Sequence, residues 1–204
     1  MINRLDRETS GLVLVAKQLA VAVELRDLWE KRLVQKQYLA IVRGHPREAS
    51  GLIDAPLGRD EQSQIAIKDK VRADGADAQT EFAVERRFSR FEGDFSLLRV
   101  RPLTGRKHQI RIHLAHYGHA IVGDKLYGSN EDFYLAFVQW RLTDAQRREL
   151  LLPNHALHAK ELRFDWRGRE MVFSAAPEPL FCEFLNFQLA TGPSGSEIQP
   201  TKIH

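Results

Sequence analysis

The 204-residue chain has one cysteine, Cys182, so it has neither a disulfide framework nor a thiolate metal cluster, and this usage suits a reducing compartment. Long hydrophobic runs are also missing. The apolar stretch nearest the start, Leu12 to Ala16, falls far short of the roughly 20 residues that span a bilayer. Arg4, Asp6, Arg7 and Glu8 leave no room for the apolar core of a signal peptide. These absences predict a cytoplasmic protein with no membrane partner. Neither sign of charge dominates: 30 Lys+Arg against 27 Asp+Glu give +3, which excludes a polycation or a long acidic tail but permits a local cationic face. The sequence has no Walker loop, no dinucleotide-binding glycine fingerprint and no G-x-S-x-G elbow, so no cofactor is expected.

What is present is ordinary globular material, 43% hydrophobic and 28% charged, long enough for one good-sized core. Residues 11–16 read as a short buried strand, and residues 18–33 as an amphipathic helix with Val21, Leu25, Leu28 and Trp29 on one face. Residues 35–42 alternate, with Tyr38, Ala40 and Val42 opposite Leu39 and Ile41, and are expected to pair with the first strand. Prolines, glycines and charges across 44–75 predict loops and hairpins. Residues 78–88 and 94–103 form a predicted antiparallel hairpin turning through 89–93.

Ile110, Leu114 and Tyr117 predict a helix over 106–117, closed by Gly118, with His108 and Arg111 on its polar side. Thr143 and Gln146 form a capping-box pattern for a helix over 143–151. Strands over 158–166 and 170–174 flank the Arg167-Gly168-Arg169 turn, and 179–189 closes the fold as a helix. We expect a single domain over 1–190, α+β with a mixed, mainly antiparallel sheet and flanking helices, followed by a disordered tail over 191–204.

Four features could carry chemistry. In Asn3-Arg4-Leu5-Asp6-Arg7-Glu8-Thr9-Ser10-Gly11 a carboxylate lies between two arginines, where positive charge favours its ionised form. It could be a nucleophile or general acid/base, or the run could be a solvated terminus. In Thr104-Gly105-Arg106-Lys107-His108 a turn delivers a cationic first helical turn. That is either an anion site or a solvated basic face, with Arg86, Arg87, Arg90, Arg99 and Arg101 adding charge upstream. His108, His113, His116 and His119 invite a metal reading, but only His113 and His116 share a helical face and no carboxylate sits beside them. Surface or capping histidines, with Asp124 as a turn residue, are the simpler account, and no metal site is expected. Tyr38 could stack on a base or belong to the core.

Taken together, these residues resemble the RluA-type family of RNA pseudouridine synthases. NRLDRETSG resembles that family's His-Arg-Leu-Asp-x-x-Thr-Ser-Gly signature, QKQYLAIVRG its Lys-x-Tyr strand, and LTGRKHQIRIHLAHYGHAIVGDKLYG its third motif, with ALHAKELRF matching near the end. The motifs occur in family order and span about residues 2–182. The resemblance implies isomerisation of specific uridines to pseudouridine in ribosomal or transfer RNA, without metal or cofactor, by a monomer. It implies Asp6 as the catalytic aspartate, Arg111 as its arginine partner and Tyr38 as the ring against the uracil. Arg4 matches an arginine associated with flipping the nucleotide out, and Arg106, Lys107 and His108 fall where RNA is expected to bind. Asp6 could attack C1′, add to C6 or remove the C2′ proton.

The sequence departs from the family pattern in two ways. Asn3 stands where the family has His, which predicts tuning rather than loss. Family domains also carry an early strand and a Lys-Pro loop before the signature, which here begins at residue 3. The fold is therefore expected to lack its N-terminal portion and to expose sheet edge and apolar surface. The alternative function is an RNA-binding protein of the same fold that has lost catalysis.

Overall fold

Segments in which β-branched and aromatic residues alternate with period two build one sheet, and helices cover its two faces. The computed structural model describes residues 1–128 and 130–186. In chain order the elements are β1 (Ser10–Gly11), α1 (Leu19–Glu30), β2 (Gln35–Arg43), β3 (Ser50–Asp54), β4 (Leu57–Arg59), β5 (Asp69–Val71), β6 (Gln79–Arg90) and β7 (Gly93–Pro102). There follow α2 (Gln109–His116), α3 (Asp132–Val138), α4 (Asp144–Leu150), β8 (Leu157–Trp166), β9 (Arg169–Ser174) and α5 (Pro179–Asn186). The strands lie in the order β1-β8-β2-β7-β6-β3, with β9 also on β8, and β4 and β5 form a separate pair. Among the described residues only the β1–β8 pairing is parallel, so the architecture is the mixed, mainly antiparallel α+β one expected.

The alternation in β2 sets the layers. Tyr38 is level with Val100 of β7 and Val100 with Phe82 of β6, and Tyr117, just past α2, meets the Phe82 ring at 5.0 Å. So α2 covers the Tyr38 face. Leu39 is level with His158, which packs on Phe181 of α5, while Phe184 stands edge-on to Phe95 at 5.1 Å. So α5 covers the opposite face. With both faces covered, Leu39 to Val42 are all buried. Each fully buried Phe or Leu contributes about 1.5–3 kcal/mol, which is why α5 docks firmly. Its expected last turn, beyond residue 186, and the tail from Thr191 lie outside the described residues.

Local signals held where backbone chemistry is specific. Thr143 caps α4 with the reciprocal Gln146 bonds of a capping box. The β8–β9 turn places Arg167 and Gly168 at φ 52° and 72°, as a two-residue primed turn requires. The β6–β7 hairpin turns at Phe91–Glu92. Among the described residues no helix is long and apolar enough to cross a membrane.

Elsewhere the structure corrects the sequence reading. Residues 12–16 are not a buried strand: Val13 and Val15 are exposed, and the Leu14 N–H donates to Asn3 Oδ1 at 2.7 Å instead of to a ladder. Nor does β2 pair with β1, because β8 lies between them. Periodicity reports a strand's faces but not its partner, and here a strand from the far end of the chain takes the place beside β2. The helix expected from Arg106 starts at Gln109, since His108 takes a left-handed φ of 55° and the Gln109 side chain accepts the Arg106 N–H at 3.0 Å. His113 is not at the surface. It is fully buried between the Thr80 hydroxyl at 2.8 Å and the Ala55 carbonyl at 2.9 Å. α3 is an addition to the elements expected.

The expected cationic face is divided. Arg99 and Arg101 flank Val100 in β7 and so project from the face opposite Tyr38, where they pair with Glu85 at 3.4 Å and Glu81 at 2.7 Å. Arg87 donates to the Pro46 carbonyl, and Arg90 pairs with Glu92 at 3.1 Å. Cross-strand carboxylates therefore offset much of the charge that looked unopposed in sequence.

Candidate active site

The loop before β1 is fixed at both ends. Asn3 donates to the Leu12 carbonyl at 3.0 Å and accepts from Leu14, closing the loop, and the Thr9 N–H donates to the Asp6 carbonyl at 3.0 Å, tightening its turn. Gly11 lies at φ 114° against β8, where a Cβ would run into the Ala159 carbonyl oxygen, so the parallel pairing needs glycine. Three successive side chains then bind three partners distant in sequence: Glu8 to Lys125 at 2.7 Å, Thr9 to His155 at 2.7 Å, and Ser10 to His158 at 2.9 Å.

This clamp sets Asp6 against Arg111. Arg111 Nη1 donates to Asp6 Oδ2 at 3.1 Å, while its Nε and Nη2 bind both oxygens of Asp124 at 2.7 and 2.9 Å. The side-chain exposures are 28% for Asp6, 8% for Arg111 and 1% for Asp124, so of the three Asp6 is the most open to solvent. Burial opposes the charge on Asp124, but Arg111 more than offsets it and holds the carboxyl well below the usual range. Burial likewise opposes the charge on Arg111, and Asp124 and Asp6 together raise its pKa above the ordinary value. Asp124 also accepts the Leu126 and Tyr127 amides, so it is the turn residue expected and the anchor of Arg111 as well.

Behind the loop, burial depresses His155 to about 4, with Arg111 adding to the effect, so its ring is neutral. Among the described residues its Nδ1 is the one buried side-chain nitrogen or oxygen without a hydrogen bond, with Glu8 Oε2 at 3.7 Å. Burial raises Glu8 although Lys125 pulls the other way. No group of three or more His, Cys, Asp or Glu among the described residues is arranged to hold a metal ion.

The remaining residues singled out in the sequence differ in how they are held. Tyr38 is pushed up to about 12 by burial, with the charge of Asp6 adding to the effect. Arg4 is exposed and makes no hydrogen bond or ion pair among the described residues. Arg106 donates through Nε to the Asp77 carbonyl, and Lys107 pairs with Asp69 at 3.0 Å. His108 meets the Tyr127 hydroxyl at 2.9 Å from a left-handed backbone that costs a non-glycine residue about 1–2 kcal/mol.

The sequence reading passed over Tyr127, whose ring lies 5.0 Å from the Arg111 guanidinium, and the partners Lys125, His155 and His158. One signal was available: an arginine between Ile110 and Ile112 on an apolar helix must find a carboxylate, and Asp124 follows soon after.

The model of the RNA pseudouridylate synthase family matches residues 1–116, more than half of the chain. The chain belongs to this family. Ribosomal large subunit pseudouridine synthase C of Haemophilus ducreyi is 35% identical over 178 residues, which cover 87% of this chain and 51% of that protein. An uncharacterized RNA pseudouridine synthase of Helicobacter pylori is 36% identical, covering 90% of this chain and 59% of its own length. The chain thus spans between half and three-fifths of these relatives. Among solved structures, human RNA pseudouridylate synthase domain containing 1 superposes with a TM-score of 0.71 at 29% identity, covering 87% of this chain and 68% of the other. Human RNA pseudouridylate synthase domain containing 4, at 24% identity and a TM-score of 0.69, shares the fold. The RluA-type resemblance and the pseudouridine synthase fold are therefore both established.

Proposed function

We propose that the chain isomerises uridine to pseudouridine in structured RNA, with Asp6 as the catalytic carboxylate. The observation that carries the proposal is the Asp6–Arg111–Asp124 arrangement: one buried arginine, held from behind by a sealed carboxylate, presents a second carboxylate that is partly open to solvent. In the reaction the N1–C1′ bond breaks, the uracil turns, C5 bonds to C1′, the C5 proton leaves and N1 gains one. Arg111 orients Asp6 for whichever of C1′, C6 or the C2′ proton it engages. Tyr38, whose hydroxyl stays protonated at neutral pH, supplies a ring for the uracil rather than a base for the C5 proton. Arg4, exposed two residues before Asp6, is in reach of the backbone of a nucleotide drawn out of its stack.

The substrate in this reading is large ribosomal RNA, the class carried in the name of the Haemophilus relative, with Arg106, Lys107 and His108 at the RNA rim. The protein acts in the cytoplasm as a monomer, with no metal or organic cofactor. Asp6→Asn decides the matter: pseudouridine formation should vanish while RNA affinity stays within a few-fold. A protein that binds RNA but yields no pseudouridine in either form would be a binding module. For the substrate, pseudouridine sites mapped with and without the gene should differ in ribosomal RNA, and an unchanged map would refute this choice.

A further inference from the structure

His108 sits in the stretch that charge alone assigns to phosphate binding, yet its surroundings give it a different character. The Asp69 N–H donates to the Tyr127 hydroxyl oxygen at 3.3 Å. The same oxygen meets His108 Nδ1 at 2.9 Å, a bond made either by the phenol O–H donating to the ring or by the ring N–H donating to the phenol. With the phenol O–H donating, Nδ1 is the acceptor and the imidazole proton is on Nε2. No hydrogen bond engages Nε2 among the described residues, and it is not sealed, since His155 Nδ1 is the one buried unpartnered side-chain atom there.

The charges facing the ring come from several elements. Burial, Arg111 and Lys107 disfavour a second proton, Asp6 and Asp124 favour one, and the balance holds His108 below its ordinary pKa. The neighbouring Lys107 is tied to the carboxylate of the same Asp69, so one residue of β5 fixes both side chains of the loop. The left-handed backbone at His108 is a strained state of the kind that persists where surrounding contacts over-determine it.

We propose that His108 is a specificity-determining residue that acts as a neutral hydrogen-bond donor, presenting Nε2–H to an uncharged oxygen of the extruded uridine, with its tautomer set by the chain Asp69 N–H to Tyr127 O–H to His108 Nδ1. This rests on the synthase reading and refines it: a uracil carbonyl or ribose oxygen takes this donor, while the neutral ring adds no charge of its own toward a phosphate.

Nitrogen-15 NMR of the histidine-labelled full chain tests the tautomer directly. His108 should be the neutral Nε2–H form at pH 7, and Tyr127→Phe should shift it toward the Nδ1–H form. An imidazolium or an Nδ1–H form in the unsubstituted protein would overturn the proposal, and this measurement needs no variant to fold. With RNA, His108→Ala should lower the single-turnover rate about tenfold, the worth of one such hydrogen bond. His108→Gln, which keeps an N–H at similar reach, should recover part of that loss. The slope of log affinity against log salt should not change. A slope reduced by about 0.7–0.9, the signature of one lost phosphate contact, would overturn the proposal, as would unchanged rates or a His108→Gln no better than Ala. Failure of the synthase reading looks different: the unsubstituted protein itself would then make no pseudouridine.

Discussion

Arg111 serves two carboxylates at once, and its two ion pairs differ in kind. The pair with Asp124 is sealed and bidentate, whereas the pair with Asp6 is single and reaches solvent. Removing one partner of a buried pair leaves an uncompensated charge and costs about 3–5 kcal/mol, whereas replacing both with apolar groups of similar volume is often neutral. Asp124→Asn should therefore destabilise the fold by about that amount in urea titration and lower activity as well. The double variant Arg111→Met/Asp124→Leu should regain most of the stability and none of the activity. Recovery of product in the double variant would show that Arg111 does not orient Asp6.

At the scale of elements, the loop carrying Asp6 is held by side chains more than by its own backbone ladder, which is two residues long. Lys125 is one of these ties and is itself anchored, binding Glu8 at 2.7 Å and the Pro153 carbonyl at 2.6 Å. Lys125→Met should loosen the loop without touching the RNA surface, so single-turnover rate constants should fall at least tenfold while RNA affinity changes little. Equal losses in rate and affinity would instead indicate a general unfolding of the site. Some of these elements were legible in the sequence and some were not. The capping box at Thr143, the Arg167-Gly168 turn and the two faces of β2 follow from local geometry, and the sequence showed them. The pairing of β1 with β8, the burial of His113 and the bond between Asp124 and Arg111 depend on residues far apart in the chain, and no local pattern encodes them. Of the site residues singled out by resemblance, Asp6 and Arg111 meet directly, and their supports emerged only with the fold.

Across the whole molecule, buried histidines set the response to acid. His108, His113, His155 and His158 are all held below their ordinary 6.5 chiefly by burial. Between pH 6.5 and about 4 the unfolded chain binds a proton at His155 that the native protein refuses, so stability falls as pH falls through that window and levels off below it. His155 alone accounts for on the order of 3 kcal/mol. Asp124, depressed in the fold, adds a further loss below its ordinary 3.8, while Glu8, raised by burial, works in the opposite direction. Urea midpoints at pH 7, 6 and 5 should decline steadily, and flat midpoints would contradict the neutral burial of these rings. Charge is distributed on the same scale. Because Arg99 and Arg101 are paired on the face away from Asp6, replacing both with Ala should leave the salt slope of RNA binding unchanged, whereas Arg4→Ala should lower it by about one contact.

The parallel seam between β1 and β8 has a kinetic consequence. Ser10 and His158 are 148 residues apart, while the hairpins β6–β7 and β8–β9 join neighbours in the chain. Closing so long a loop carries an entropic cost that short hairpins avoid, so local hairpins form early in folding and distant seams late. The β2–β8 pairing, which sets Gln35 beside Arg163, is also distant in the chain, so the aspartate loop depends on two long closures rather than one. The centre around Asp6 is therefore joined to the part of the sheet that is entropically costliest to close.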